Sequence, residues 1–240
     1  MSHEFSCRYG QCVECCTIPD MIPMTIGDLY RVMAYENGEN AKNDRQLKGI
    51  YSVWAEKCGG WSLIETPRSL ALSVNRPFDM SLAACYPIFT SKLPCPNLDA
   101  EKKLCKGHDK YKYIFCQILP EFSLLSEGSD LPNLKFAAEL GCIKDSVLSA
   151  DQRQKALLLS KKALREIHIT SDLLGYGRDG LDQFSASFCV GADDLKSRFE
   201  ALSQRMTILF YKQETNKDLT EDESRLADLL REFSDASDKG

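Results

Sequence analysis

The sequence predicts a mainly α protein with a few short strands: a cysteine-rich, metal-stabilised N-terminal part followed by C-terminal helices. Three observations carry this. Nine of the eleven cysteines lie before residue 117. Apolar residues recur at helical spacing near the N-terminus and again through much of the region after residue 149. Between these stretches, residues 61–94 hold prolines at 67, 77, 87 and 94, and Leu63, Leu70, Leu72 and Val74 alternate with polar neighbours. That pattern favours short strands and turns. The cysteine gradient divides the chain into residues 1–120, a cysteine-cluster domain, and 121–240, a mainly helical region.

The elements follow in order. Thr25 with an acid three residues on, Asp28, is a capping pattern that opens a helix over IGDLYRVMAYE, with Leu29, Val32 and Met33 as its apolar stripe. Residues 44–58 repeat the spacing through Leu47, Ile50, Tyr51 and Trp54, and Gly59 and Gly60 are expected to end that helix. The segment CPNLDAEKKLC, residues 95–105, sets a polar turn between two short apolar arms, which predicts a hairpin or knuckle drawing Cys95 towards Cys105.

After that come three helices. Ser149 and Gln152 cap ADQRQKALLLSKKALREI, and Thr220 and Glu223 cap EDESRLADLLREF. Between them, Leu195, Phe199, Leu202, Met206 and Leu209 form one apolar face. Lys161, Lys162 and Arg165 are spaced as a solvated helix side. The hexapeptide GYGRDG at 175–180 matches G-x-G-x-x-G, but a helix tail precedes it where a dinucleotide site needs a strand. It is a loop, and no nucleotide site is expected.

Composition narrows the function. With 240 residues, 43% hydrophobic and 27% charged, the chain can bury a core without covalent staples. A net charge of −5 lacks the basic footprint of a nucleic-acid binder. No apolar run reaches the length that spans a bilayer. The stretch MSHEFSCRYGQC shows no basic segment leading into an apolar one, so no signal peptide is expected and the predicted location is cytoplasmic.

Cytoplasmic thiols are held reduced, and an odd number of cysteines cannot all pair within one chain. Structural disulfides are therefore the weak reading. A dithiol redox centre would use only Cys12 and Cys15, and a Cys–His nucleophilic pair would need one activated thiolate. Both leave most of the thiols idle. A metal site uses more of them. Cys12-Val-Glu-Cys15 has the knuckle spacing that turns two sulfurs towards one ion, and Cys16, adjacent to Cys15, implies a second metal or a bridging arrangement. Cys7, Cys12, Cys15 and Cys16 form C-x4-C-x2-C-C, followed downstream by Cys95, Cys105 and Cys116.

This order of motifs resembles the CxxCxxCC, or YkgJ-like, cysteine-cluster family, described as zinc- or iron-chelating. Cys7, Cys12, Cys15 and Cys16 match its N-terminal run, MTIGDLYRV its helix start, and CPNLD, KLC and CQILP its later cysteine elements at Cys95, Cys105 and Cys116. The chain departs from the family pattern in its first gap, which is four residues instead of two. KGHDKYKYIF replaces the usual I-Y…R-P segment, and Gln117 stands where arginine is common. The resemblance covers roughly the first half of the chain.

The resemblance implies metal binding by Cys7, Cys12, Cys15, Cys16, Cys95, Cys105 and Cys116, with zinc or iron as cofactor. Four thiolates also suffice for an iron–sulfur cluster. Seven exceed the needs of one zinc ion. The expected partners are a metal ion and, for a docking role, another protein, with no nucleic acid and no membrane. The alternative class is a metal-dependent protein-modifying enzyme resembling flagellin lysine N-methylase, though no S-adenosylmethionine motif is recognisable and no catalytic residue is assigned. Cys58, Cys85 and His108 are reserve ligands. Cys142 and Cys189, in small apolar surroundings, are expected to be buried and inert.

Overall fold

A computed structural model describes residues 16–17, 22–43, 46–65, 84–108, 110–117, 150–182 and 190–235. In chain order these form β1 (Pro23–Met24), α1 (Ile26–Lys42), α2 (Ile50–Lys57), β2 (Cys58–Glu65), β3 (Ala84–Ser91), β4 (Leu98–Asp99), β5 (Leu104–Cys105), α3 (Ala150–Leu173), β6 (Leu181–Asp182), α4 (Ala192–Glu214) and α5 (Glu221–Asp235). The chain is mainly α with small sheets.

The expected capping boxes at Thr25 and Thr220 both form. Asp28 N donates to Thr25 Oγ1 at 3.1 Å while Thr25 N donates to Asp28 Oδ2 at 2.9 Å. Thr220 N donates to Glu223 Oε2 at 2.7 Å, and Glu223 N donates back to Thr220 Oγ1 at 3.3 Å. Ser149, the third expected cap, lies outside the described residues. Leu29, Val32 and Met33 are buried on α1, and so are Leu195, Phe199, Leu202, Met206 and Leu209 on α4.

The second helix is shorter than its periodicity suggests. It starts at Ile50, and Leu47 is exposed. The reason lies in Asn37 on α1, whose side-chain amide holds the backbone of Lys48 from both sides: Lys48 N donates to Oδ1 at 2.7 Å and Nδ2 donates to the Lys48 carbonyl at 2.9 Å. Those bonds fix residue 48 outside the helix. At its other end the helix does not stop on glycine. Cys58 is extended (φ −83°, ψ 130°), and the chain runs directly into β2.

β3 is the central strand of an antiparallel sheet, paired with β2 along one edge and with β1 and β6 along the other. Pro87 falls between the stretch paired with β6 (84–85) and the stretch paired with β1 (89–90). Its missing N–H therefore removes no ladder bond on that edge. The knuckle predicted at 95–105 is the β4–β5 hairpin, in the register Leu98 to Cys105 and Asp99 to Leu104.

Phe89 of β3 organises the core. Its ring meets Phe199 of α4 at 5.0 Å and Trp54 of α2 at 6.3 Å, both edge-on. One hydrophobic cluster runs from Ile22 through Phe89 and Tyr113 to Phe233, so the described N-terminal elements and the C-terminal helices share a core. The GYGRDG segment is a turn in which Gly175, Gly177 and Gly180 have φ of 80°, 81° and 74°, the left-handed region that glycine tolerates. It leaves helix α3 and not a strand, so the dinucleotide geometry is missing.

Gly27, in the first turn of α1, sits where a Cβ would lie 2.7 Å from both Glu166 Oε2 and the Phe233 ring. Gly38, on the same helix, has nothing within 4 Å of such a Cβ. The same substitution should therefore act with opposite sign. Gly38→Ala gains helix propensity and is expected to stabilise by about 0.5–1 kcal/mol. Gly27→Ala gains as much but is overruled by overpacking, for a net loss of about 1–2 kcal/mol. Urea unfolding of the two variants measures both signs.

Candidate metal centre

The buried N-terminus of α1 anchors the cysteine-bearing segments. Thr25, Ile26 and Asp28 are all fully buried, so the amides of this helix end need protein partners. Thr25 Oγ1 takes the Asp28 amide, and Thr170 of α3 takes the Ile26 amide at 3.0 Å. Asp28 also reaches outside its own helix. Its Oδ1 accepts from the Ile114 amide at 2.8 Å, which fixes the short helical turn 114–117 that carries Cys116.

Three charged side chains meet at this point. Arg31 donates to both oxygens of Glu166 (2.7 and 3.0 Å) and to Asp28 Oδ1 at 2.6 Å. Glu166 is 2% exposed, so the fork of Arg31 is what keeps its charge tolerable. Burial pushes the Asp28 carboxyl up, Arg31 opposes that shift and Glu166 adds to it. Burial works against the Arg31 charge, yet the Asp28 and Glu166 carboxylates raise its pKa overall. Lys162, half-buried nearby, is lowered by burial and by Arg31. Of the basic residues expected on one solvated face, Lys161 and Arg165 are exposed as predicted and Lys162 turns partly inward.

The cysteines approach this anchor from three segments. The Cys95 amide donates to the carbonyl of Cys16 at 3.0 Å, joining the end of the N-terminal cysteine run to the head of the second motif. Cys105 sits on β5 opposite Leu98, and the Lys106 amide donates to the Asn97 carbonyl at 2.8 Å, closing the hairpin. Cys95 is buried, whereas Cys16, Cys105 and Cys116 are half-buried. Cys7, Cys12 and Cys15 lie outside the described residues. Among the described residues, no group of three or more His, Cys, Asp or Glu side chains is arranged to hold a metal ion.

Two tyrosines lie among these thiols. Tyr113 is 2% exposed; burial, then Cys95, Asp28 and Cys116, push its hydroxyl up, and a side-chain hydrogen bond with Ser91 opposes the shift. Tyr111 is pushed up to about 12 by burial, then by Glu36, Cys105, Tyr35 and Cys95. Cys95 thus acts on both rings, Cys105 on Tyr111 and Cys116 on Tyr113. The two tyrosines alternate along KYKYIF, between Cys105 and Cys116. Nothing in that spacing separates them from ordinary core tyrosines until their burial is known.

The reserve ligands divide. The Cys58 thiol is raised by burial and donates to its neighbouring Gly60 carbonyl at 2.9 Å. Cys85 is buried in β3 opposite Leu181. His108 is half-buried one turn after Cys105, whose carbonyl accepts its amide at 3.1 Å. Cys142 and Cys189 lie outside the described residues. Compared with known proteins, the chain matches no family model, no curated protein and no solved structure.

The Asp28–Ile114 bond makes a local prediction. In Asp28→Ala the Ile114 amide stays buried but loses its acceptor, a loss of about 1–3 kcal/mol at that amide. Hydrogen exchange at Ile114 should accelerate by about tenfold or more relative to the Phe89 amide, measured under native conditions. Parallel acceleration at both positions would mean that Asp28 supports the fold as a whole without specifically anchoring the turn.

Proposed function

We propose that the chain chelates zinc or iron through its cysteine cluster. The ligand set is drawn from Cys7, Cys12, Cys15 and Cys16 on one side and Cys95, Cys105 and Cys116 on the other. The observation that carries this reading is the 3.0 Å backbone bond from Cys95 to Cys16, which brings together two cysteine motifs separated by some eighty residues of sequence. Thiolates are soft donors, and an all-sulfur set suits zinc or an iron–sulfur centre far better than magnesium or calcium. Folding and binding would then be linked, because the sulfurs come from segments that only the folded chain unites. The order of the cysteine motifs adds the resemblance to the zinc- or iron-chelating family.

Anaerobic purification followed by elemental analysis tests the proposal. The expected result is at least one equivalent of zinc or iron per chain. An absorption spectrum then separates colourless zinc from iron–sulfur chromophores. Replacing Cys12, Cys15, Cys95, Cys105 or Cys116 singly with serine should lower metal content, since serine supplies no thiolate. Cys142→Ser and Cys189→Ser should leave it unchanged. Folded protein without either metal would overturn the reading. Unchanged metal in the Cys95, Cys105 and Cys116 variants would show that the two motifs do not share a site.

A further inference from the structure

The Thr25 hydroxyl has one proton and stands in donating position to two carboxylate oxygens, Glu166 Oε2 at 2.8 Å and Asp28 Oδ2 at 3.2 Å. It also accepts the Asp28 amide at 3.1 Å. A hydroxyl offers one donor and two acceptor sites, so it serves only one of the two carboxylates. The shorter contact takes it, and Thr25 donates to Glu166. With Asp28 ionised, Thr25 Oγ1 and Asp28 Oδ2 would then face each other with lone pairs alone. Thr25 and Asp28 are both fully buried, so water does not relieve that contact.

The charges around Asp28 point the same way. With both carboxylates ionised, Asp28, Glu166 and Arg31 hold one negative charge in excess. On α1 Arg31 faces Asp28 at 2.6 Å, but two of its three bonds go to Glu166. From α3 come Glu166 and, one turn earlier, half-buried Lys162, whose charge is disfavoured by burial and by Arg31. The turn at 114–117 offers the Ile114 amide, with the Tyr113 hydroxyl nearby. α5 brings no charge here: the Phe233 ring lies with Glu166 Oε2 around Gly27. Burial, the largest influence on Asp28, favours its neutral form; Arg31 opposes that and Glu166 adds to it.

We propose that the folded chain keeps a proton on Asp28 Oδ2 at neutral pH, hydrogen-bonded to Thr25 Oγ1, while the Thr25 hydroxyl donates onward to the Glu166 carboxylate. Thr25 Oγ1 then accepts twice and donates once, which fills its capacity. Arg31 and Glu166 balance each other, and Asp28 Oδ1 remains the acceptor for Ile114. Losing the proton returns an unbalanced charge to a dry site. The junction is therefore a pH-sensitive clasp on the turn that carries Cys116, and this holds with or without metal.

Infrared spectra of the unaltered full-length chain in heavy water test the proton directly. At neutral pH one protonated-carboxyl C=O stretch should stand apart from the carboxylate bands. Isotopic labelling of the aspartate carboxyl carbons should shift it, which assigns the proton without any variant. Glu166→Gln should abolish the band, because Asp28 then becomes the counter-charge of Arg31. Urea unfolding gives a second reading. The unfolded chain releases this proton above the ordinary aspartate value of 3.8, whereas the folded chain holds it. The stability it contributes is complete below that value and is lost as pH rises through the raised folded value. Between about pH 5 and pH 7 the unfolding constant of the parent should rise about tenfold per pH unit relative to Asp28→Asn, which cannot titrate there. Raising the pH until the band disappears should speed hydrogen exchange at the Ile114 amide relative to the Phe89 amide.

No protonated-carboxyl band at neutral pH in the unaltered chain would overturn the inference, with the Lys162 ammonium then balancing two ionised carboxylates. A band untouched by aspartate labelling would place the proton elsewhere and overturn it as well. A band that disappears on raising the pH while the ratio of Ile114 to Phe89 exchange stays constant would overturn the clasp.

Discussion

The buried junction of Asp28, Arg31 and Glu166 is the constraint on which the arrangement of the described segments rests. Two carboxylates and one guanidinium would be costly to bury separately. Here each acceptor is occupied: Asp28 by the Thr25 amide, the Ile114 amide and Arg31, and Glu166 by Arg31 and the Thr25 hydroxyl at 2.8 Å. Breaking such a set strands a charge, which costs more than the intact set is worth as net stability. Its contribution is geometric. The N-terminus of α1, the middle of α3 and the turn at Ile114 can meet in one way only if all these partners are to be satisfied at once.

That geometry explains why the cysteine-bearing half and the helical half do not behave as separate packing units. Glu166 and Thr170 belong to α3, yet they complete the cap of α1. Phe199 of α4 closes over Phe89 and Trp54. Phe233 of α5 lies against Tyr30 of α1 at 6.5 Å between rings. The falling cysteine density along the sequence marks where thiols are placed, not where the hydrophobic core divides. A thiol gradient is a statement about chemistry, and packing follows apolar area, which both halves supply.

Local signals in the sequence were readable where local physics decides the outcome. Thr25 with Asp28, Thr220 with Glu223, the apolar face of α4 and the Cys95–Cys105 hairpin all depend on residues within one or two turns of each other, and each is found as expected. The start of α2 depends on Asn37, more than ten residues earlier and on another helix, so its periodicity overstates its length. Glu166 is separated from Arg31 by 135 positions. Nothing in ALREIHIT distinguishes that carboxylate from its solvated neighbours Lys161 and Arg165. Of the candidate site, the cysteines were visible as residue types. Tyr111 and Tyr113 were not, because a tyrosine between two cysteines looks like ordinary core until its burial is known.

The same anchor bears on the chemistry of the thiols. Asp28 is fixed at once by its own cap, by Arg31 and by the Ile114 amide, so the turn carrying Cys116 is held from a rigid helix end. The hairpin carrying Cys105 is closed by its own backbone, and Cys95 is tied to Cys16 through the main chain. The backbone at or beside Cys95, Cys105 and Cys116 is therefore held by hydrogen bonds within the chain. A metal site drawing on these residues, as proposed above, would lose less conformational entropy on binding than one assembled from loose loops.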